Sequence, residues 1–198
     1  MMSGILSPAF LQAAGRAGKG APVGKIILDT QFADPTISSI SCTGEIKVTT
    51  IKNGTPLVET YTDLGGDTLS IQADANTQIV ISGAGITACE IGENTDYTKI
   101  SVKNTALTQL NCGNCYALTA LDVSKNTALT QLNCGSCAKL VSISYPATNS
   151  DVATAVAGAI ADANSTTGTV YTDSAADYYS TIADAATAKG WTIAQIPE

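Results

Sequence analysis

The sequence predicts an α/β solenoid: a short parallel sheet of stacked coils with a β-rich N-terminal cap and an α/β C-terminal cap. Three observations lead there. An eleven-residue apolar frame recurs through residues 85–149, strand-like runs crowd residues 23–84, and strand and helix signals alternate over 150–198. A chain of 198 residues is long enough for one such domain with attachments.

An internal repeat governs the reading of the whole fold. ALTQLNCGNC at 106–115 recurs as ALTQLNCGSC at 128–137, and ALTALDVSKN at 117–126 lies between them. Leu107, Leu118, Leu129 and Leu140 hold the second position of the frame, and Leu110, Leu121, Leu132 and Ile143 the fifth. Cys112, Val123, Cys134 and Tyr145 hold the seventh; Cys115, Asn126, Cys137 and Thr148 hold the tenth. Backwards, Ile86, Cys89, Ile91 and Asn94 fit, as do Tyr97, Ile100, Val102 and Asn104 after one deletion. In each L-x-L the two apolar side chains face the same way on a short strand, toward a core. An Asn at position ten can bond backbone groups of neighbouring coils, and Cys fits there as a small buryable residue. One coil cannot bury its apolar face alone, so coils must stack and their ends be capped.

Each unit reads L-x-x-L-x-L-x-x-N/C, half of a leucine-rich repeat, so six units over 85–149 make about three repeats. The wording LDVSKNTALTQLNC in 121–134 resembles the leucine-rich repeats of gut-bacterial surface proteins and of the phages that infect those bacteria. The closing GWTI at 190–193 is similar to the end of such proteins. The resemblance implies a parallel-strand solenoid used for binding or structure, and it carries no catalytic residues.

The flanks are read by local signals. Residues 149–163 predict a helix, capped by Asn149 or Ser150, with Val152, Val156 and Ile160 on one face. Thr169–Tyr171 is a strand, a second helix runs from Ser174 to Lys189–Gly190 with Asp177 completing a capping box, and Trp191–Ile193 is a last strand. Before the repeat, 25–29, 36–42, 45–51, 56–62 and 68–72 are strand-like, with turns at Asn53–Gly54 and Gly65–Gly66. They form an N-terminal cap or a small immunoglobulin-like sandwich; five strands in so few residues favour the cap.

Residues 1–22 form an arm, in which Ile5, Leu6, Phe10 and Leu11 are apolar and Arg16 and Lys19 are the only charges. It reads as a tail or as a docking peptide that orders on a partner. The whole chain has 10 Lys and Arg, 17 Asp and Glu and a net charge of −7, a poor surface for nucleic acid. No apolar window is long enough to cross a membrane. The N-terminus lacks the basic residues and apolar run of a secretory signal, and no lipidation motif is present. Charged residues make up only 14% of the chain, so small uncharged side chains cover the surface, which suits a particle-bound or extracellular protein.

Histidine is absent, which removes Ser-His-Asp and Cys-His nucleophiles and His-ligated metals. Cys112-x-x-Cys115 and Cys134-x-x-Cys137 have the spacing of a four-cysteine zinc site. All four, however, occupy frame positions seven and ten, where Val123 and Asn126 stand one unit away and bind no zinc. They read as buried structural thiols, Cys42 and Cys89 as core residues, and no metal, cofactor or catalytic residue is assigned. Carboxylates are scattered, and no phosphate-binding loop or calcium loop occurs. Thr108, Gln109 and Asn111 stack above Thr130, Gln131 and Asn133, an uncharged hydrogen-bonding strip and the candidate contact surface. Lys99, Lys103, Asp122, Ser124 and Lys125 decorate the alternate units. Tyr116, Tyr145 and Trp191 serve packing or glycan stacking.

The expectation is a non-enzymatic virion structural protein of a phage, a fibre or surface decoration. The arm would grip other virion proteins, and the repeat would contact a host surface protein or glycan. The alternative is a bacterial cell-surface or secreted adhesin of the same repeat class. An intracellular scaffold is a third reading that the low charge fits poorly. Homo-oligomerisation is compatible with all three.

Overall fold

A computed structural model describes residues 23–91, 96–103, 106–146, 150–172 and 179–196. The arm residues Ile5, Leu6, Phe10, Leu11, Arg16 and Lys19 lie outside them, as do Asn94, Asn104, Thr148, Asn149, Ser174 and Asp177.

The chain does not build the α/β solenoid that the repeat predicts. It builds two mixed β-sheets, with two helices among the described residues. Six strands precede the repeat: β1 (Gly24–Thr30), β2 (Thr36–Cys42), β3 (Glu45–Lys52), β4 (Thr55–Thr62), β5 (Gly65–Ser70) and β6 (Gln78–Gly83). The units of the frame supply β7 (Ile86–Glu90), β8 (Tyr97–Lys103), β9 (Gln109–Asn111), β10 (Ala120–Asp122), β11 (Gln131–Asn133) and β12 (Ser142–Ser144). Then follow α1 (Ser150–Asp162), β13 (Thr169–Thr172), α2 (Tyr179–Lys189) and β14 (Thr192–Gln195). The nine-stranded sheet has the order β14-β13-β12-β10-β8-β1-β6-β3-β4, and the five-stranded sheet β11-β9-β7-β2-β5.

Two physical facts separate this from a solenoid. Successive eleven-residue units alternate between the sheets, so each strand pairs in parallel with the unit two places on: β7 with β9, β9 with β11, β8 with β10, β10 with β12. The strands before the repeat then enter both ladders antiparallel, β1 beside β8 and β2 beside β7, and extend them. A quasi-one-dimensional stack has contacts only between neighbouring coils. Here β1 and β8 lie some seventy residues apart in the chain, pairing Leu28 with Ile100. Strands on both sides of residues 84 and 85 thus share sheets, and their inward residues form one buried cluster.

The frame positions all point into that cluster. Leu107, Leu118, Leu129 and Leu140, then Leu110, Leu121, Leu132 and Ile143, then Cys112, Val123, Cys134 and Tyr145, are buried. Burial of this kind contributes about 1.5–3 kcal/mol per large aliphatic side chain. Before the repeat, period-two alternation buries Ile26, Leu28, Ile46, Val48, Ile79 and Ile81 and turns Lys25, Lys47 and Gln78 outward.

The helix predicted over 149–163 spans Ser150–Asp162 and buries Val152, Ala153, Val156, Ala159 and Ile160. It lies beside β11: the Cys134 thiol donates to the Ala155 carbonyl at 3.6 Å, and Ser136 N–H donates to Asp162 Oδ2 at 2.9 Å. So α1 shields the edge strand of the five-stranded sheet, whose unpaired backbone would otherwise template association.

At the β3–β4 turn, Asn53 and Gly54 have positive φ, as a tight hairpin demands. Their N–H groups both donate to the Asp74 carboxylate at 2.9 Å, and these bonds hold its pKa below the ordinary value. Asp34, bonded to Lys52 and to Ala73 N–H, is lowered in the same way. A depressed carboxyl contributes stability that is full above the unfolded pKa near 4 and is lost as pH falls through the folded value. Acid titration of Asp74→Asn is therefore expected to show a shallower loss of stability below about pH 4 than the parent chain. Equal acid slopes would show that the carboxylate does not hold the turn.

Candidate functional site

The outer side of the five-stranded sheet is concave and encloses about 540 Å³. Strand register lays its side chains in two rows. Ser41, Ala88, Gln109 and Gln131 form one; Ser39, Glu90, Asn111 and Asn133 form the other. Each row crosses four strands spaced about 4.8 Å apart, so its ends are separated by about 14 Å. Glu90 is the one charged side chain lining the concavity. Between the rows run the backbones of Cys89, Leu110 and Leu132, whose side chains point into the core.

Each row member has a local reason for its place. Position six of the frame makes a turn: Asn111 Oδ1 accepts from Gly113 N–H at 3.1 Å, and Asn133 Oδ1 from Gly135 N–H at 3.2 Å. Asp122 does the same for Ser124 N–H at 3.1 Å on the other sheet. Side-chain oxygens closing such turns are a property of Asn and Asp. Asn111 Nδ2 also donates to Glu90 Oε1 at 3.0 Å. The side chain of Asn133 lies over Gly113, where an added Cβ would come within 2.6 Å of its Nδ2. Gly113 therefore keeps the row flat.

The six predicted contact residues divide into two groups. Gln109, Asn111, Gln131 and Asn133 line the concavity, with Gln109 beside Gln131 and Asn111 beside Asn133. Thr108 and Thr130 do not line it. Their hydroxyls are used within the fold: Thr108 donates to the Thr87 carbonyl and Thr130 to the Thr108 carbonyl, each at 3.1 Å. The nine-stranded sheet repeats the device, since the Thr119 hydroxyl donates to the Thr98 carbonyl at 2.9 Å. Threonine at frame position three is thus a ladder residue.

Sequence reading missed Ser39, Ser41, Ala88 and Glu90, half of the surface. The alternation in TISSISC marks Ser39 and Ser41 as sharing a face. What it does not contain is the pairing of β2 with β7, which sets that face flush with the repeat.

Of the aromatic candidates, Tyr145 is fully buried and Trp191 is 5% exposed, so both pack; Tyr116 is exposed. The Trp191 indole N–H donates to the Ser165 carbonyl at 2.9 Å.

The six cysteines are free and buried. Burial pushes the Cys89 thiol up to about 12, with a smaller push from Glu90, and raises Cys112 and Cys134. A thiol held protonated is a poor nucleophile and a poor ligand. At position ten, the Cys137 thiol donates to the Cys112 carbonyl at 3.2 Å, and Asn126 Nδ2 donates to the Val102 carbonyl at 2.6 Å. Among the described residues no group of three or more His, Cys, Asp or Glu is placed to hold a metal ion. The expected result with a thiol-specific dye at pH 8 is slow labelling of the native protein and rapid labelling of all six cysteines in denaturant. Stoichiometric native labelling would show that the thiols are reachable.

The concavity therefore offers amide and hydroxyl hydrogen bonds and one carboxylate. Comparison with protein-family models, with curated proteins and with solved structures finds no match to this chain.

Proposed function

We propose that this protein is a non-enzymatic contact protein of a phage particle, a fibre or surface decoration, presenting the concave face to a host protein or glycan. One observation carries the contact reading: two in-register rows of Ser, Gln and Asn over a concave sheet, with Glu90 as their single charge. Solvation alone demands no such exclusion of charge, whereas a neutral polar ligand is matched by it. Neutral hydrogen bonds contribute about 0.5–1.5 kcal/mol each, so one copy binds weakly and an array of copies binds well. A particle supplies such an array. Placement on a particle is further supported by the composition of residues 1–22, apolar and basic on an otherwise acidic chain.

Two measurements test this. Mass spectrometry of purified phage particles, beside washed host envelopes, is expected to find the chain in stoichiometric amount in particles. Recovery only in envelopes would replace the phage assignment with a cell-surface adhesin. Beads coated with the protein are expected to bind host cells, with Gln109→Ala plus Gln131→Ala lowering capture about tenfold through lost avidity. Unchanged capture would remove the concave face from the function.

A further inference from the structure

The opposite side of the molecule, the outer face of the nine-stranded sheet, carries a second feature. Of the 10 Lys and Arg, three meet in one register row: Lys103 on β8 faces Lys25 on β1, Lys25 faces Ser82 on β6, and Ser82 faces Lys47 on β3. Lys25 and Lys103 are a direct cross-strand pair, with Cα atoms about 5 Å apart, and like charges so placed repel. Lys47, Lys52 and Lys99 each have a carboxylate within ion-pair distance. Among the described residues Lys25 and Lys103 have none, on a chain with 17 acidic residues to choose from. Among the described residues no carboxylate is within ion-pair distance to offset this repulsion.

The next row on the same face is uncharged and largely apolar: Ile27 faces Val80, Val80 faces Thr49, and Thr49 faces Val58, which is 56% exposed. Acidic groups border the two rows: Glu45 beside Lys47, Asp29 beside Lys99, and Asp122 bonded to Ser101. A continuous polyanion such as nucleic acid or an anionic bilayer meets those carboxylates as well as the lysines. A protein surface with a few discrete carboxylates need not. Residues 1–22 join the fold at this row, since β1 begins at Gly24.

We propose that Lys25, Lys103 and the adjoining Ile27–Val80–Thr49–Val58 row form a docking face for a protein partner that presents a carboxylate pair beside a largely apolar strip. This face lies on the other side of the molecule from the concave one and stands independently of what the latter binds. A partner seated here leaves the concavity free and faces it away from the point of attachment.

The probe is a fluorescein-labelled peptide alternating Glu and Val, titrated with the full-length protein at low salt and read by anisotropy. Binding is expected, with Lys25→Gln plus Lys103→Gln weakening it about tenfold and Lys139→Gln plus Lys189→Gln leaving it unchanged. The Lys25/Lys103 variant is expected to melt no lower than the parent, because it removes a repulsion; a lower melting temperature would mark the pair as structural and overturn the proposal. No binding, or equal binding by the variant, would also overturn it. So would loss of binding only on Arg16→Gln plus Lys19→Gln, which would place the contact on residues 1–22. Tighter binding to heparin or phosphatidylserine vesicles would assign the row to a polyanion. Self-association in sedimentation that the variant abolishes would assign it to a second copy.

Discussion

Asn126→Ala is expected to lower the unfolding free energy by about 2–3 kcal/mol, the cost of leaving buried polar groups unpaired. Asn126 is fully buried, and its Nδ2 donates to the Val102 carbonyl at 2.6 Å and to the Val123 carbonyl at 3.3 Å. Alanine withdraws both donations; the Val123 carbonyl keeps the bond from the Asn126 N–H at 3.0 Å, so the loss falls on the Val102 carbonyl. The frame itself supplies the control. Cys137 stands at the equivalent position on the other sheet, and its thiol reaches back to the Cys112 carbonyl as the amide of Asn126 reaches back to Val102. Asn126→Cys is therefore expected to recover part of what alanine loses, since a thiol is a weak donor of the right size. Urea unfolding of the three proteins measures this. Equal midpoints for the alanine and cysteine variants would show that a thiol at position ten neither fills the site nor replaces the hydrogen bond.

Gly168→Ala is expected to be of similar severity, about 2–3 kcal/mol, through overpacking. A Cβ at residue 168 would lie 2.5 Å from two ring carbons of Trp191, so the indole must move. Moving it strains the indole N–H bond to the Ser165 carbonyl and the adjoining β13–β14 pairing, in which Thr192 N–H donates to the Gly168 carbonyl at 2.8 Å. Trp191 is the single tryptophan of the chain, so its fluorescence reports the change directly. The emission of the native variant is expected to shift to longer wavelength, with a melting temperature lower by about 2–4 °C per kcal/mol. Unchanged emission with a normal melt would mean that the ring is not seated on this glycine.

These two positions show how unevenly the sequence discloses the fold. Asn126 was legible because a frame places it: once Leu118, Leu121 and Val123 are assigned inward, position ten must turn the chain near a buried backbone. Gly168 was not, because nothing near it in the sequence marks Trp191, more than twenty residues away, as the ring that covers it. The same contrast runs through the candidate surface. Gln109, Asn111, Gln131 and Asn133 could be picked out because they recur with the frame. Thr108 and Thr130 recur as faithfully, yet their hydroxyls serve the ladder, and recurrence alone cannot distinguish the two uses. Ser39 and Ser41 complete the surface from outside the repeat.

The error in fold class has one origin. An eleven-residue period states which side chains are inward, but not how many sheets the inward faces share. A stack of coils beside a separate β cap satisfies the pattern of Leu, Cys and Asn, and so does the arrangement found here. The difference lies in β1 and β2, which pair with β8 and β7 and merge the early strands with the repeat. Their alternation identifies them as strands without naming a partner. Register across a sheet depends on contacts between residues far apart in the chain, and several pairings bury similar apolar faces.

By itself, then, the sequence determined the inward residues of the repeat, the buried place of the thiols, and the extent of α1. Each follows from interactions within one or two turns of chain, or from a period that local sterics impose. Only the tertiary structure decided the two mixed sheets, the four-strand width of the concave face, and the meeting of Lys25 with Lys103. These rest on strand pairs joined through space, and their energies belong to the assembled sheet rather than to any segment of it.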